Sequence, residues 1–222
     1  MVMPRTNDLV SAGEPDHHAG RRERLKFAHR QAILDAGVRV LGAGVCDSVA
    51  VDRIAAQAGV AKGTVYNYFA DKAALVEAIA QSVEARAIER IERAMQDLPS
   101  AAARLAAALA AMFEIALLHP DEAVILDRRI SADCTYQSGL AALLMRELQR
   151  GKFSRLQASG AIEAALILHL SAMSAATRLF VSKRGGWRIN EAHALISHCL
   201  VALGVDDEQA GAQASAALLR LL

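Results

Sequence analysis

Apolar residues recur along this chain at three- and four-residue spacings nearly from end to end, and period-two alternations are scarce. The pattern predicts an all-α protein. A first helix is expected over about residues 22–43, with Ile33, Leu34, Ala36, Val40 and Leu41 on its apolar side, and two shorter helices within 51–68. Asp71 offers an N-cap for a long fourth helix to about Gln96, along which Leu75, Ile79, Val83, Ile88, Ile91 and Met95 form one side. Asp97-Leu98-Pro99-Ser100 closes it. A fifth helix should stop at His119-Pro120, and a sixth should begin at Asp121. Residues 131–138 are the least helical part of this half. A seventh helix leads to Gly151, an apolar eighth covers about 159–183, and Arg184-Gly185-Gly186-Trp187 reads as a loop. The ninth spans about 190–203, Gly204 breaks it, and a short final helix runs from about 209 to 222.

Residues 161–177, AIEAALILHLSAMSAAT, are apolar almost all round. The run includes Glu163 and His169 and stops at Arg178, short of the roughly twenty clean apolar residues that span a bilayer, so no membrane segment is expected. A helix of this kind needs cover on several faces, one from its own domain and another from a second subunit. Small residues Ser171, Ala172, Ser174, Ala175 and Ala176 would let backbones approach, with the ninth helix alongside, and the expectation is a homodimer.

The stretch Val51 to Tyr68, VDRIAAQAGVAKGTVYNY, sets apolar residues at Ile54, Ala58, Val60, Val65 and Tyr68, the inward positions of two short helices crossing steeply. Ala55 suits a tight crossing point. Four residues later the turn requires positive φ, which Gly59 adopts without steric cost. The outward positions hold Lys62, Gly63, Thr64, Tyr66 and Asn67, which are small, polar or cationic as a helix lying in a DNA groove requires.

Charge sharpens this picture. Across the 222 residues, 25 Lys and Arg nearly balance 24 Asp and Glu, which argues against a general polyanion binder. The basic excess is local, with Arg21, Arg22, Arg24, Lys26, Arg30, Arg39, Arg53, Lys62 and Lys72 around the first helices. Cys46, Cys134 and Cys199 are widely spaced and odd in number, so neither a disulfide framework nor a metal pair is suggested, and reduced cytoplasmic thiols are expected. The adjacent His17 and His18 sit in an aperiodic terminal segment. No metal or cofactor is expected. Glu114, His119, Asp127, Arg128, Arg129 and Asp133 lack any nucleophile motif or phosphate-cradling loop, so the chain does not read as an enzyme.

Ile54-Ala55, Ala58-Gly59-Val60, Lys62-Gly63-Thr64, Tyr66, Tyr68-Phe69 and Asp71-Lys72 together resemble the DNA-binding signature of TetR-family (tetracycline-repressor-type) transcriptional regulators, over about residues 22–83. The chain departs from that pattern at Val49-Ala50, where a hydroxyl is usual, and at Ala61, where Ser is frequent. The resemblance implies a flexible arm over 1–21, a helix-turn-helix domain over 22–70, and a helical effector-binding and dimerisation domain over 71–222. It implies a cytoplasmic repressor that a small, largely apolar effector releases from a double-stranded DNA operator. Lys62, Gly63, Thr64, Tyr66, Asn67, Tyr68 and Lys72 would meet DNA, Lys72 as a phosphate contact. The effector pocket would draw on Met112, Phe113, Leu117, Leu126, Ile130, Tyr136, Met145, Leu166, His169 and Met173, with His169 or Tyr136 supplying one hydrogen bond. The alternative is a DNA-binding or chromosome-organising protein of the same fold that works without an effector.

Overall fold

The structure, a computed structural model, describes residues 17–44, 50–132, 138–159, 161–182 and 189–220. Among them the chain forms eleven helices and no strand: α1 (His17–Gly42), α2 (Ala50–Ala58), α3 (Lys62–Tyr66), α4 (Lys72–Met95), α5 (Ala101–Leu118), α6 (Pro120–Ala132), α7 (Gly139–Arg150), α8 (Ser154–Ser159), α9 (Ile162–Ser182), α10 (Ile189–Ala202) and α11 (Asp207–Leu219). The all-α expectation holds.

Two elements differ from the sequence reading. Helix α1 begins at His17, inside the segment expected as a mobile arm, while residues 1–16 lie outside the described residues. Once the buried turns around Ile33 and Leu34 nucleate this helix, each further residue toward the amino terminus adds a backbone hydrogen bond without a new nucleation cost, and Ala19, Arg24, Leu25 and Lys26 are good helix formers. The other difference is α8, six residues that the reading passed over. A helix that short does not complete two turns, so no apolar period can register in it.

Side-chain caps set several helix starts. Asp71 accepts from the Ala74 N–H at 2.7 Å, as the sequence suggested, and Ser100, Ser138 and Asp206 do the same for the N–H groups of Ala103, Ala141 and Gln209.

Helix α5 is the axis of the body. It is buried along most of its length from Ala103 to Ala116 and packs against α4, α6, α7, α9, α10 and α11, whose approach its many alanines permit. One continuous apolar core runs from Ile33 in α1 to Leu218 in α11. Helices α5 and α9 (Ile162–Val181) are each long and apolar enough to cross a membrane by length and composition, a test that core helices also pass. The share buried is 67% for α5 but 44% for α9, so α9 has a face that its own subunit leaves bare.

Charged groups fasten α4 to its neighbours. Glu122 of α6 accepts from Arg86 and Arg90, and Arg129 of α6 donates to Glu77 and to buried Glu84. Glu84 also accepts the Leu140 N–H at the start of α7, at 3.0 Å. Helix α1 meets α6 at Gly42, where a β-carbon would lie 2.6 Å from the Asp121 Cα. The amino-terminal helices thus rest on the body through both α4 and α6.

Candidate functional site

Helix α2 and the five-residue α3 are joined by a turn in which Gly59 takes φ +68°, the left-handed value expected of it. The Val60 N–H closes the turn on the Ala55 carbonyl at 3.0 Å. Val51, Ile54, Ala55 and Val65 are buried, and Ala58, Val60 and Tyr68 pack half-buried against them. Phe69, also buried, lies under the Arg30 guanidinium at 5.5 Å from the ring centroid, which pins the end of the motif to α1.

With Val65 inward, the opposite side of α3 and the turn after it carry Lys62, Gly63, Tyr66 and Asn67, all exposed, with Thr64 half-buried. Lys72 is half-buried in the first turn of α4. Arg24, Lys26, Arg30 and Arg39 of α1 and Arg53 of α2 are exposed. Val49, one of the positions where a hydroxyl is usual, lies outside the described residues.

One contact escaped the sequence reading. The Lys62 ammonium is held by Asp52 in the first turn of α2, at 2.9 and 3.1 Å to its two oxygens. The hydrogen bond to Asp52, and then its charge, raise the lysine above its ordinary value. A pair ten residues apart across a turn has no periodic signature, so only the crossing of the two helices reveals it. The carboxylate aims Lys62 outward and competes for it with any base or phosphate.

The residues expected around an effector divide into three groups. Met112 and Phe113 of α5, Leu126 of α6, and Leu166, His169 and Met173 of α9 are buried, with Ile130 and Met145 half-buried against the same core. Leu117 is corrected. It is 58% exposed in the last turn of α5, where the helix emerges past its neighbours, so it does not wall the core. Tyr136 lies outside the described residues.

The core is closed. The gap bounded by Met112, Phe113, Met173 and Thr177 is too small for a water molecule. Within this packing His169 is fully buried; its Nδ1–H donates to the Ala165 carbonyl at 2.7 Å, and its Nε2 has no partner among the described residues. Burial lowers its pKa from the ordinary 6.5, against the opposing pull of the Ala165 carbonyl. With the proton on Nδ1, the buried Nε2 is an acceptor without a donor, an arrangement that costs free energy and that proteins rarely leave unanswered.

Three of the polar residues from which an active site might have been assembled, Asp127, Arg128 and Arg129, make contacts between helices, and Asp133 lies outside the described residues. Asp127 accepts from Ser174 and from Arg178 (2.8 Å), joining α6 to α9; Arg129 holds the α4 carboxylates; Arg128 donates to the Leu41 carbonyl at 3.3 Å.

Comparison with known proteins agrees with this geometry. Residues 33–79 match the family model for bacterial regulatory proteins, tetR family. A fatty acid metabolism regulator protein of Bacillus subtilis (strain 168) is 32% identical over 95 residues, 43% of this chain and 47% of that protein, so the match spans about half the length of the curated relative. Among solved structures, a TetR family transcription regulator from Marinobacter aquaeolei VT8 superposes with a TM-score of 0.66 at 17% identity, covering 82% of this chain and 97% of the other. The transcriptional regulator FadR from Bacillus subtilis, in complex with stearoyl-CoA, superposes with a TM-score of 0.56 at 21% identity, covering 79% and 99%. At these identities the likeness of the structures is one of fold.

Proposed function

We propose that this chain, whose residues 33–79 match the family model for bacterial regulatory proteins, tetR family, is a cytoplasmic DNA-binding transcriptional repressor, active as a homodimer and released from its operator by a small, largely apolar effector. The observation that carries the DNA reading is the exposed polar face of α3, fixed by buried Val65 behind it and the Gly59 turn before it. Residues 22–70 form the DNA-binding head in this reading, and residues 71–222 bind the effector and the second subunit. Lys62 and Thr64 read base edges, Gly63 allows close approach, Tyr66, Asn67 and the Tyr68 hydroxyl meet the backbone, and Lys72 meets a phosphate.

The effector enters the core around Met112, Phe113, Leu126, Leu166 and Met173, with Ile130 and Met145 at its edge. The bare Nε2 of His169 selects a ligand that carries a hydrogen-bond donor on an apolar body. The stearoyl chain of the ligand in the Bacillus subtilis neighbour supports an effector with a long apolar part. The ligand acts only through its preference for a state in which the two heads no longer fit the duplex.

The tight packing around Met112, Phe113 and Met173 favours a second reading, a DNA-binding or chromosome-organising protein of the same fold that needs no effector. Selection from a random duplex library with the full chain, followed by titration of the selected complex with stearoyl-CoA, separates the readings. An enriched inverted repeat from which the ligand displaces the protein supports the first. A repeat that stays bound at saturating stearoyl-CoA supports the second, and no enriched sequence removes both.

A further inference from the structure

A cleft of about 650 Å³ opens between the first half of α4 and the second half of α6, with the end of α1 as its third wall. It shares no lining residue with the group around His169. Lys72, Val76 and Ala80 descend one side of α4 at four-residue steps, and Ile125, Arg128, Arg129 and Ala132 form the facing stripe of α6. Leu41 closes the end. The floor is therefore aliphatic, and Val76 remains 37% exposed over it.

The charges around this floor are unequal. Glu77 is the one carboxylate among the lining residues, and it is already taken by Arg129 (3.0 and 3.1 Å) and Gln81 (2.8 Å). Arg129 is taken in turn by Glu77 and Glu84. Lys72 and Arg128 have no carboxylate partner among the described residues; Arg128 spends one N–H on the Leu41 carbonyl and keeps the rest of its fork. Two cations without a carboxylate partner among the described residues thus line an aliphatic trough of ligand size, an arrangement that attracts an anion by charge and retains a hydrocarbon by burial.

We propose that this cleft binds a small amphipathic anion, a carboxylate on a medium-length hydrocarbon tail, with the head group between Lys72 and Arg128 and the tail over Val76, Ala80, Ile125 and Leu41. The site is separate from the effector core. In one respect it rests on the DNA reading: Lys72 is the residue assigned there to a phosphate, so the bound carboxylate and the operator compete for one ammonium.

Calorimetric titration of the full-length protein without DNA tests the site apart from that reading, with decanoate as the probe and decan-1-ol and acetate as controls. Decanoate should bind at least tenfold more tightly than either control, because each control lacks one half of the recognition. Ala80→Phe fills the trough and should abolish binding. Arg128→Gln, a variant at an exposed side chain, its helical spectrum and urea midpoint checked against the wild type, should weaken it several-fold even if Ala80→Phe proves unstable. Equal affinity for decanoate and decan-1-ol, or unchanged decanoate affinity in Arg128→Gln, overturns the proposal. Binding that survives Ala80→Phe and disappears in His169→Leu moves the ligand to the core, overturning this site while leaving the effector reading in place.

Discussion

Lys62 and Lys72 differ in what surrounds them, and the difference predicts separable effects on DNA. Lys72 has no carboxylate partner among the described residues to compete with a phosphate, and because every nucleotide presents the same phosphate, such a contact carries no sequence information. Lys72→Ala should weaken selected and random duplexes alike and lower the salt dependence of binding by about one per head. Lys62 must leave or share Asp52 to reach a base. Lys62→Ala should cost about ten- to a hundredfold on the selected duplex and much less on random DNA. Asp52→Asn should act in the opposite sense on random DNA, tightening it by freeing the ammonium. Titrations at several salt concentrations resolve the three variants, and equal losses for Lys62→Ala on both duplexes would make it one more phosphate contact. His169 gives a second residue-level prediction. Its folded pKa lies below the 6.5 of the unfolded chain, so below 6.5 the unfolded state takes up protons that the folded state refuses. The stability tied to neutral His169 is present above pH 6.5 and is lost as pH falls toward the folded value, by at most about 1.4 kcal/mol per pH unit. Between pH 7.5 and 5.5 the urea midpoint of the wild type should fall further than that of His169→Leu; parallel lines would show that the buried ring does not resist protonation.

At the scale of helices, what could be read from sequence and what could not divide along a physical line. Long amphipathic runs such as α4 announced themselves, because burial of one face imposes a period that many residues share; Leu75, Ile79, Val83, Ile91 and Met95 are all buried as read, with Ile88 at the margin. The helix-turn-helix was legible for a related reason. Gly59 and Ala55 answer local demands, a positive φ and a close crossing, that few other residues meet. Contacts between distant segments left no such mark. Nothing in the sequence singles out Gly42, yet the approach of α1 to α6 depends on it. Gly42→Ala would press a methyl group against the Asp121 Cα, which as backbone cannot swing aside, and should destabilise the protein by about 1–3 kcal/mol. Equilibrium unfolding in urea checks this, and an unchanged midpoint would mean that α1 and α6 can separate freely. Glu84 was equally silent, a charged residue in an apolar stripe whose partners Arg129 and the Leu140 N–H lie 45 and 56 residues away. The cleft between α4 and α6 belongs to the same class, since its two stripes meet only in the folded chain.

For the whole molecule, the exposed side of α9 is the surface proposed to join two subunits. Ile167, Leu168 and Leu179 are 41–45% exposed, and Ser171 and Ala175 lie exposed on the same side at helical spacing. Of the small residues expected between subunits, Ser174 and Ala176 instead face inward, Ser174 donating to Asp127 and Ala176 packing in the core, because a 3.6-residue period cannot put five residues from one six-residue stretch on one face. A stripe this apolar, beside α10, is what a two-fold contact between identical chains would bury, and such a contact sets the distance between two heads on one duplex. Charge placed on that stripe should therefore act at a distance. Leu168→Glu with Ala175→Glu puts carboxylates outside the subunit's own core, so the monomer should keep its helical spectrum while sedimentation shifts from dimer to monomer at micromolar concentration. Affinity for an inverted repeat should drop far more than affinity for a single half-site, since each α3 is untouched and only the coupling of the heads is lost. If the doubly charged variant remains a dimer, the subunits meet through some other surface, and the spacing of the heads must be sought there.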